Sequence, residues 1–299
     1  MTRSAPMTIA VIGATGFVGS HLVPHLAGAG HRVRAISRGG ARRADWAENV
    51  EAMAANVETG AGLEAALRGA DAAVHLVAIP RETKGRSFEE VNVGGVERAV
   101  EAAAAGGVRR FVHLSAMGVI DDRRLEYLSS KWRGEQAVRE SGLDWVVVRP
   151  SLLFGPGDGF FNLIKTTLTW WSPGVVAIPG DGKATFQPLS VVDLAIAIEK
   201  SATERYRSGS VYELGGPEHM TYRQIVDAVM RATGKRRLKL NMPVPLIGAL
   251  TAVTDRVLPI FPVSHDQIRS LGRPNSTDLD SFESAFGITP RPMDLSYLR

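Results

Sequence analysis

The chain has 299 residues, 44% hydrophobic and 22% charged, with 31 glycines, 16 prolines and no cysteine. That balance is the one of a soluble globular protein with length for two domains, and it is not the composition of a low-complexity chain. A chain without cysteine has no disulfide framework, iron–sulfur cluster, thiolate zinc site or cysteine nucleophile, and 35 basic against 31 acidic residues is a small excess dispersed along the sequence, with no concentrated patch for nucleic acid.

The first six residues read as a loose tail. Residues 8–12 are a short β-branched run, 21–29 a helix closed by Gly30, and 32–37 the next strand. A helix over 63–67, a strand over 72–77, a long alanine-rich helix over 88–105, a strand over 111–115, a helix over 131–140 and a strand over 145–148 follow. Strands alternating with helices imply right-handed βαβ crossovers and a parallel sheet, and uninterrupted apolar runs suit strands covered on both faces. After Arg149-Pro150 the pattern becomes turn-rich, with Gly155-Pro-Gly157, Trp170-Trp171 and Pro179-Gly-Asp-Gly182, then a helix over 191–200, a strand over 210–214 and a helix from Thr221, its N-cap, to 233. The fold expected is α/β: a Rossmann-type doubly wound parallel sheet over 7–155 and a smaller, mostly helical substrate lobe over 156–299, with segments near 185–215 returning to the first domain. No run reaches the roughly 18 apolar residues of a spanning helix. The nearest, 243–253, is followed by Asp255-Arg256 and sits among prolines 243, 245, 259 and 262, so it reads as a buried helix, with peripheral membrane contact left open.

Gly13-Ala-Thr-Gly16-Phe-Val-Gly19 stands between the first strand and the first helix. Gly13 permits a sharp turn, Gly16 lets the backbone approach a pyrophosphate, and Gly19 lets the helix pack on the sheet, while the helix N-terminus supplies N–H donors and partial positive charge. An NAD site would place an acidic residue at the end of the second strand. Here Ser37-Arg38 is followed by Arg42 and Arg43, and guanidinium forks match a phosphate. The cofactor expected is NADP, with NAD second; Ser37 and Arg38 make the first contacts and Arg42 or Arg43 assists.

Tyr127 and Lys131 stand four residues apart, on one face of a helix. A tyrosine with a pKa near 10 is a poor acid or base at neutral pH, but a neighbouring ammonium stabilises its anion. Such a tyrosine can pass a proton to or from a carbonyl or alcohol oxygen while hydride moves at a nicotinamide, and the lysine can also hold the nicotinamide ribose. The aromatics Phe154, Phe160 and Phe161 lie beyond the last core strand, where a smallish, partly apolar substrate would bind; packing between lobes is the competing reading. His21 and His25 are at i, i+4, but no acidic cluster accompanies them, so no metal site is expected. There is no G-x-S-x-G elbow for hydrolysis.

These motifs resemble, in order, those of the short-chain dehydrogenases/reductases: the glycine loop, Asp71-Ala-Ala-Val-His-Leu76, Val91-Asn-Val93, Tyr127 to Lys131 and Arg149-Pro150. Gly155-Pro-Gly157 and Gln187-Pro188 to Asp193 resemble the extended, epimerase/dehydratase-like branch. Ser130-Lys131-Trp-Arg-Gly134-Glu135, Pro179 to Lys183, and Ser264-His-Asp-Gln267 to Leu271 resemble the group containing the nucleotide-binding accessory subunit of respiratory complex I and its bacterial relatives. The resemblance implies that Gly13, Thr15, Gly16, Phe17 and Val18 cradle the pyrophosphate, and that Ser37 and Arg38 hold the adenosine ribose. It implies that Asn56 and Val57 contact adenine, that Leu76, Val77, Ala78 and Asn92 line the cofactor channel, and that the loop after Pro150 sits by the nicotinamide. Tyr127, Lys131 and Ser115 would be the catalytic group. However, Ala116 stands where the branch usually has the serine or threonine that bonds the substrate oxygen, with Ser115 one residue early, and Ser190 stands where relatives often carry histidine. The function expected is that of an NADP-dependent oxidoreductase or isomerase acting on a small molecule, hydrophobic if the complex I likeness guides, in the cytoplasm, as a monomer or homodimer. The alternative is a catalytically silent NADP(H)-binding protein acting through a partner.

Overall fold

The computed structural model describes residues 5–171, 174–204, 207–246, 273 and 275–299. The first elements are β1 (Thr8–Ile12), α1 (Phe17–Gly28), β2 (Arg32–Ser37), β3 (Val50–Ala54), α2 (Leu63–Leu67), β4 (Ala72–His75), α3 (Gly94–Ala105), β5 (Arg110–Leu114), α4 (Glu126–Arg139) and β6 (Asp144–Pro150). Then come β7 (Leu153–Phe154), α5 (Phe160–Thr166), β8 (Val175–Pro179), β9 (Thr185–Phe186), β10 (Leu189–Ser190), α6 (Val191–Thr203) and β11 (Ser210–Leu214). The chain continues with β12 (Met220–Thr221), α7 (Tyr222–Thr233), β13 (Leu238–Met242) and α8 (Ser281–Phe286).

Two compact units result: Met1–Pro150 with Val191–Glu213, and Ser151–Ser190 with Leu214–Arg299. The first holds a seven-stranded sheet ordered β11-β6-β5-β4-β1-β2-β3. The ladders from β3 through β6 are parallel, with Val11 opposite Ala35 and Val74, and Val112 opposite Val146. β1 and β4 are neighbours, so the chain runs outward from β1 in one direction and then, from β4, in the other. That reversal leaves a crevice at the carboxyl ends of β1 and β4. The apolar runs of β1 and β4 are buried almost throughout, as a sheet covered on both faces requires. One core cluster joins Ile12, Ile36, Leu63, Leu67, Val96, Phe111 and Val147.

α1 begins four residues earlier than its apolar pattern predicts, because the first turn lies inside the glycine loop: Ser20 N–H donates to Gly16 O. The expected helix over 88–105 is interrupted by a π-helical stretch, Glu89–Val93. Gly134 on α4 has a space reason to be glycine, since a Cβ there would stand 2.6 Å from Asn92 O.

The second unit combines α5, α7 and α8 with three two-stranded ladders: β7–β10 and β8–β13 parallel, β9–β12 antiparallel. Its core gathers Phe154, Phe161, Leu168, Ile178, Ile225, Val229 and Leu298. α7 starts on Thr221 as expected, with a reciprocal capping box: Gln224 N–H donates to Thr221 Oγ1, and Thr221 N–H to Gln224 Oε1. Gln187 bridges the unit, donating to Gly216 O and accepting from Thr277 N–H. The apolar run 247–253 and the segment Ser264 to Leu271 lie outside the described residues, as do the side chains of Trp170 and Trp171.

The contact between α4 and the π-helical stretch before α3 tests this packing. Gly134→Ala should destabilise by about 1–3 kcal/mol through overpacking, whereas Gly28→Ala, which meets nothing within 4 Å, should be neutral or gain up to about 1 kcal/mol. Urea denaturation of both variants checks the contrast.

Candidate functional site

The glycine loop makes one tight corner at the carboxyl end of β1. Gly13 takes φ +95°, and its N–H and that of Ala14 both donate to Ile36 O, at 3.0 and 3.1 Å. Gly16 N–H closes back on Gly13 O, and a Cβ on Gly19 would stand 2.3 Å from the same oxygen. α1 therefore starts directly against the corner. It has no side-chain cap and no acidic residue in its first turn, so the N–H groups of a twelve-residue helix point into the crevice with their partial positive charge uncompensated locally. Backbone here is bare of side chains at Gly13 and Gly16, and a diphosphate fits it.

Ser37 ends β2 beside this corner, and its Oγ accepts from Gly40 N–H. Arg38 follows with its side chain 64% exposed, 3.8 Å from Glu58. Arg42 points elsewhere: its guanidinium donates to the carbonyls of Trp46, Ala47 and Val50 and staples its own loop. Arg43 pairs with Asp45 at the surface. Of the three arginines, Arg38 alone makes no side-chain hydrogen bond among the described residues, its one ion-pair partner being Glu58 at 3.8 Å. Glu58, unforeseen in the sequence, also pairs with Arg86, accepting from its Nε–H at 2.9 Å.

Tyr127 and Lys131 lie one turn apart on α4, which starts early enough to include both. The Lys131 ammonium is buried and donates to Leu114 O at 2.6 Å, at the carboxyl end of β5. Burial pulls its pKa down to about 8, against an opposing effect of Glu135. Burial raises the Tyr127 hydroxyl, whose ring packs on Phe88 at 5.9 Å with Ile79 and Val91 nearby. Glu135, one turn beyond Lys131, is fully buried and held bidentately by Arg149, at 2.8 and 2.7 Å; Arg149 also reaches Glu213. Sequence reasoning passed over this pair, although the i, i+4 spacing from Lys131 was a usable signal. The buried carboxylate ties α4 to β6 next to Pro150 and places a negative charge near the lysine.

Beneath lie His75 and His113, opposite each other on β4 and β5, both fully buried with ring centroids 5.3 Å apart. None of their four ring nitrogens has a hydrogen-bond partner among the described residues, and the buried Ser115 hydroxyl has none either. Burial first, and then the Lys131 charge, depress both rings, His75 to about 3 and His113 well below its ordinary value. Ala116, next along, is half-buried, with its short methyl offering no hydroxyl.

Other expected contacts divide. Leu76, Val77 and Ala78 remain half-exposed just past β4. Asn56 forms a turn in which Oδ1 accepts from Glu58 N–H, while the Val57 side chain sits in the core and its carbonyl accepts from Arg98. Asn92 is buried and committed internally, bonding both N–H and C=O of Ile79 and the Ser130 hydroxyl, which donates to Tyr127 O. Pro150 is buried, its carbonyl accepting from Met117 N–H. Phe154 and Phe161 are core residues of the second unit, and Phe160 stacks edge-on with Phe161 and Tyr222. His25 lies 2.6 Å from Glu199 on α6. Among the described residues no group of histidines and carboxylates is arranged to hold a metal ion, and no helix is long and apolar enough to cross a membrane.

A glycine corner on the reversal point of a parallel sheet, under an uncapped helix, defines a dinucleotide-binding Rossmann protein. The chain belongs to the NAD(P)H-binding family, whose model matches residues 13–165, within the extended short-chain dehydrogenase/reductase, epimerase/dehydratase-like superfamily. It is 28% identical over 277 residues to the mitochondrial NADH-ubiquinone oxidoreductase 40 kDa subunit of Neurospora crassa, covering 87% of this chain and 72% of that one. It is 34% identical over 234 residues to a (4-alkanoyl-5-oxo-2,5-dihydrofuran-3-yl)methyl phosphate reductase of Streptomyces griseus, covering 76% and 74%. Its fold matches a nucleoside-diphosphate-sugar epimerase of Staphylococcus aureus with a TM-score of 0.76 at 17% identity, over 98% of this chain and 99% of that one.

The buried histidines fix an acid limb of stability. An unfolded histidine titrates near 6.5, whereas His75 does so at about 3 in the fold. Between those values the unfolded chain binds more protons, so stability present above pH 6.5 is lost as pH falls, on the order of 1 kcal/mol per pH unit from His75, with His113 acting in the same direction. His75→Met should flatten the fall measured by denaturation at pH 7 and pH 5; an unchanged slope would place the proton uptake elsewhere.

Proposed function

We propose that the chain is an NADPH-dependent reductase of a small molecule, with Tyr127 as general acid and Lys131 as the cation that supports it. The observation that carries this reading is the buried Lys131 ammonium, fixed on Leu114 O at the end of β5 one helical turn from Tyr127. A nicotinamide coenzyme, when bound, supplies the hydride. Gly13, Gly16 and the N–H groups opening α1 would take its diphosphate, and Ser37 with Arg38 its 2′-phosphate. Arg42, which staples the loop behind them, would set the height of that loop and touch nothing of the ligand. Lys131 donates one hydrogen bond to Leu114 O and keeps two N–H donors for ribose hydroxyls. Its charge also lowers the work of releasing the Tyr127 proton, which burial alone makes harder. Tyr127 then delivers that proton to the substrate oxygen. The expected cytoplasmic location and small, partly apolar substrate belong to the same reading.

One observation favours a second reading, a silent NADP(H)-binding protein that works through a partner. Ala116 brings no hydroxyl to the substrate side and the Ser115 hydroxyl is buried, so a substrate oxygen would meet Tyr127 with no second donor. The likeness to a subunit of NADH-ubiquinone oxidoreductase supports an assembly partner.

A carbonyl and quinone screen with NADPH separates the two. The first reading expects turnover that falls about 10²–10⁴-fold in Tyr127→Phe with coenzyme affinity kept, and that declines above about pH 8 as Lys131 loses its proton. Tight NADPH binding without turnover on any substrate selects the second. Arg38→Asp should transfer preference from NADPH to NADH; wild-type preference for NADH would refute the 2′-phosphate assignment.

A further inference from the structure

The run Arg86-Ser87-Phe88-Glu89-Glu90 carries the serine–x–x–glutamate spacing of a capping box, where the chain enters the π-helical stretch. The structure closes it: Ser87 N–H donates to Glu90 Oε2 at 3.2 Å, and Glu90 N–H to Ser87 Oγ at 3.1 Å. Just before it, Thr83 and Arg86 exchange both backbone hydrogen bonds, at 3.1 and 2.9 Å. The Arg86 backbone is therefore fixed on both sides, and its side chain crosses to the turn after β3. There its Nε–H and one terminal nitrogen approach Glu58 Oε1, at 2.9 and 2.8 Å. That turn is itself tied to the end of β2, where Ala55 N–H donates to Ser37 O.

Arg38 reaches the same oxygen: its guanidinium lies 3.8 Å from Glu58 Oε1. Two guanidinium groups from separate connections thus converge on one carboxylate oxygen, and one carboxylate leaves the pair with surplus positive charge. The Arg86 side chain bonds only Glu58 among the described residues, and a guanidinium has five N–H donors, so it keeps donors to spare. A phosphate monoester carries roughly −1.5 to −2 at neutral pH, more than Arg38 alone answers. The sequence offers Arg42 and Arg43 as helpers, but Arg42 is held by carbonyls of its own loop and Arg43 by Asp45. Arg86, remote in sequence, is the cation that the fold brings to Arg38 instead.

We propose that Arg86 is the second cation of the 2′-phosphate site, with Glu58 as its positioning residue. The inference rests on the reading that a 2′-phosphate lies at Ser37 and Arg38. Because both guanidiniums come within 3.8 Å of one oxygen, a single phosphate with its several acceptor oxygens can engage the two together through charge-assisted hydrogen bonds. Glu58 holds the Arg86 side chain toward Arg38, so less rotamer freedom is lost when the phosphate arrives. A ribose with a plain 2′-hydroxyl offers no charge to either arginine. Arg86 therefore acts on the choice between NADPH and NADH, whereas a mere clasp between loops would move both coenzymes alike.

Calorimetric titration of the full chain with NADPH and with NADH tests it. Arg86→Gln should weaken NADPH binding about tenfold or more, the worth of one hydrogen bond to a charged group, and NADH binding by no more than about twofold. Arg86→Lys, which keeps the charge without the fork, should recover part of the loss. In the wild type, where the folding of a variant is not in question, the Arg86 Nε–H resonance should shift with NADPH and far less with NADH. Equal losses for the two coenzymes, no loss for NADPH, or an Arg86 resonance indifferent to NADPH would overturn the assignment. If Arg38→Asp transfers preference to NADH while Arg86→Gln leaves NADPH binding untouched, the second cation is refuted and the 2′-phosphate reading stands. Wild-type preference for NADH refutes both.

Discussion

One carbonyl organises the dinucleotide corner. Ile36 O accepts from both Gly13 and Ala14, so the turn after β1 is bolted to the last residues of β2. Everything that would hold the adenosine half of a coenzyme follows from that bolt. It sets where α1 begins, hence where its unpartnered N–H groups point, and it places Ser37 and Arg38, the next two residues, beside the same crevice. The glycines are consequences of this geometry: Gly13 because the chain turns through a positive φ, Gly19 because its Cα lies against Gly13 O with no room for a Cβ.

The flank of α4 depends on a different economy of charge. Lys131, Glu135 and Arg149 bring three ionic groups to one buried flank of α4. A buried carboxylate without a partner would be severely destabilising, and the bidentate Arg149 fork answers that need while joining the helix to β6. Glu135 in turn holds part of the lysine charge against desolvation. Below, His75 and His113 stay neutral at physiological pH because burial and the ammonium both disfavour a further positive charge. Lys131 thus stands as a buried ammonium over a neutral floor, where charges act more strongly than in water.

Periodicity and glycine spacing made the alternating core legible. The strands at Thr8–Ile12, Arg32–Ser37 and Ser210–Leu214 and the helix at Leu63–Leu67 stand where the residues place them. What escaped has physical causes. Val50–Ala54 is an edge strand with one buried residue and no β-branched run, so its signal is pairing with β2 and not local preference. The π-helical stretch around Asn92 sits where that side chain is gripped by Ile79 and Ser130, long-range bonds invisible in a local window. Arg42 reads as a residue assisting Arg38; only the fold reveals that its guanidinium is held by carbonyls from Trp46 to Val50. The phenylalanines after Pro150 read equally as a ligand wall or as packing residues; a second unit built of short ladders needs large side chains for its core, and Phe154 and Phe161 serve there.

The most direct test of the central claim is backbone amide NMR of the isotopically labelled protein during titration with NADPH. The account predicts that the largest shifts fall on the amides from Gly13 to Val18 and on Ser37 and Arg38. Saturating coenzyme that leaves those amides unmoved, while shifting others, would contradict it.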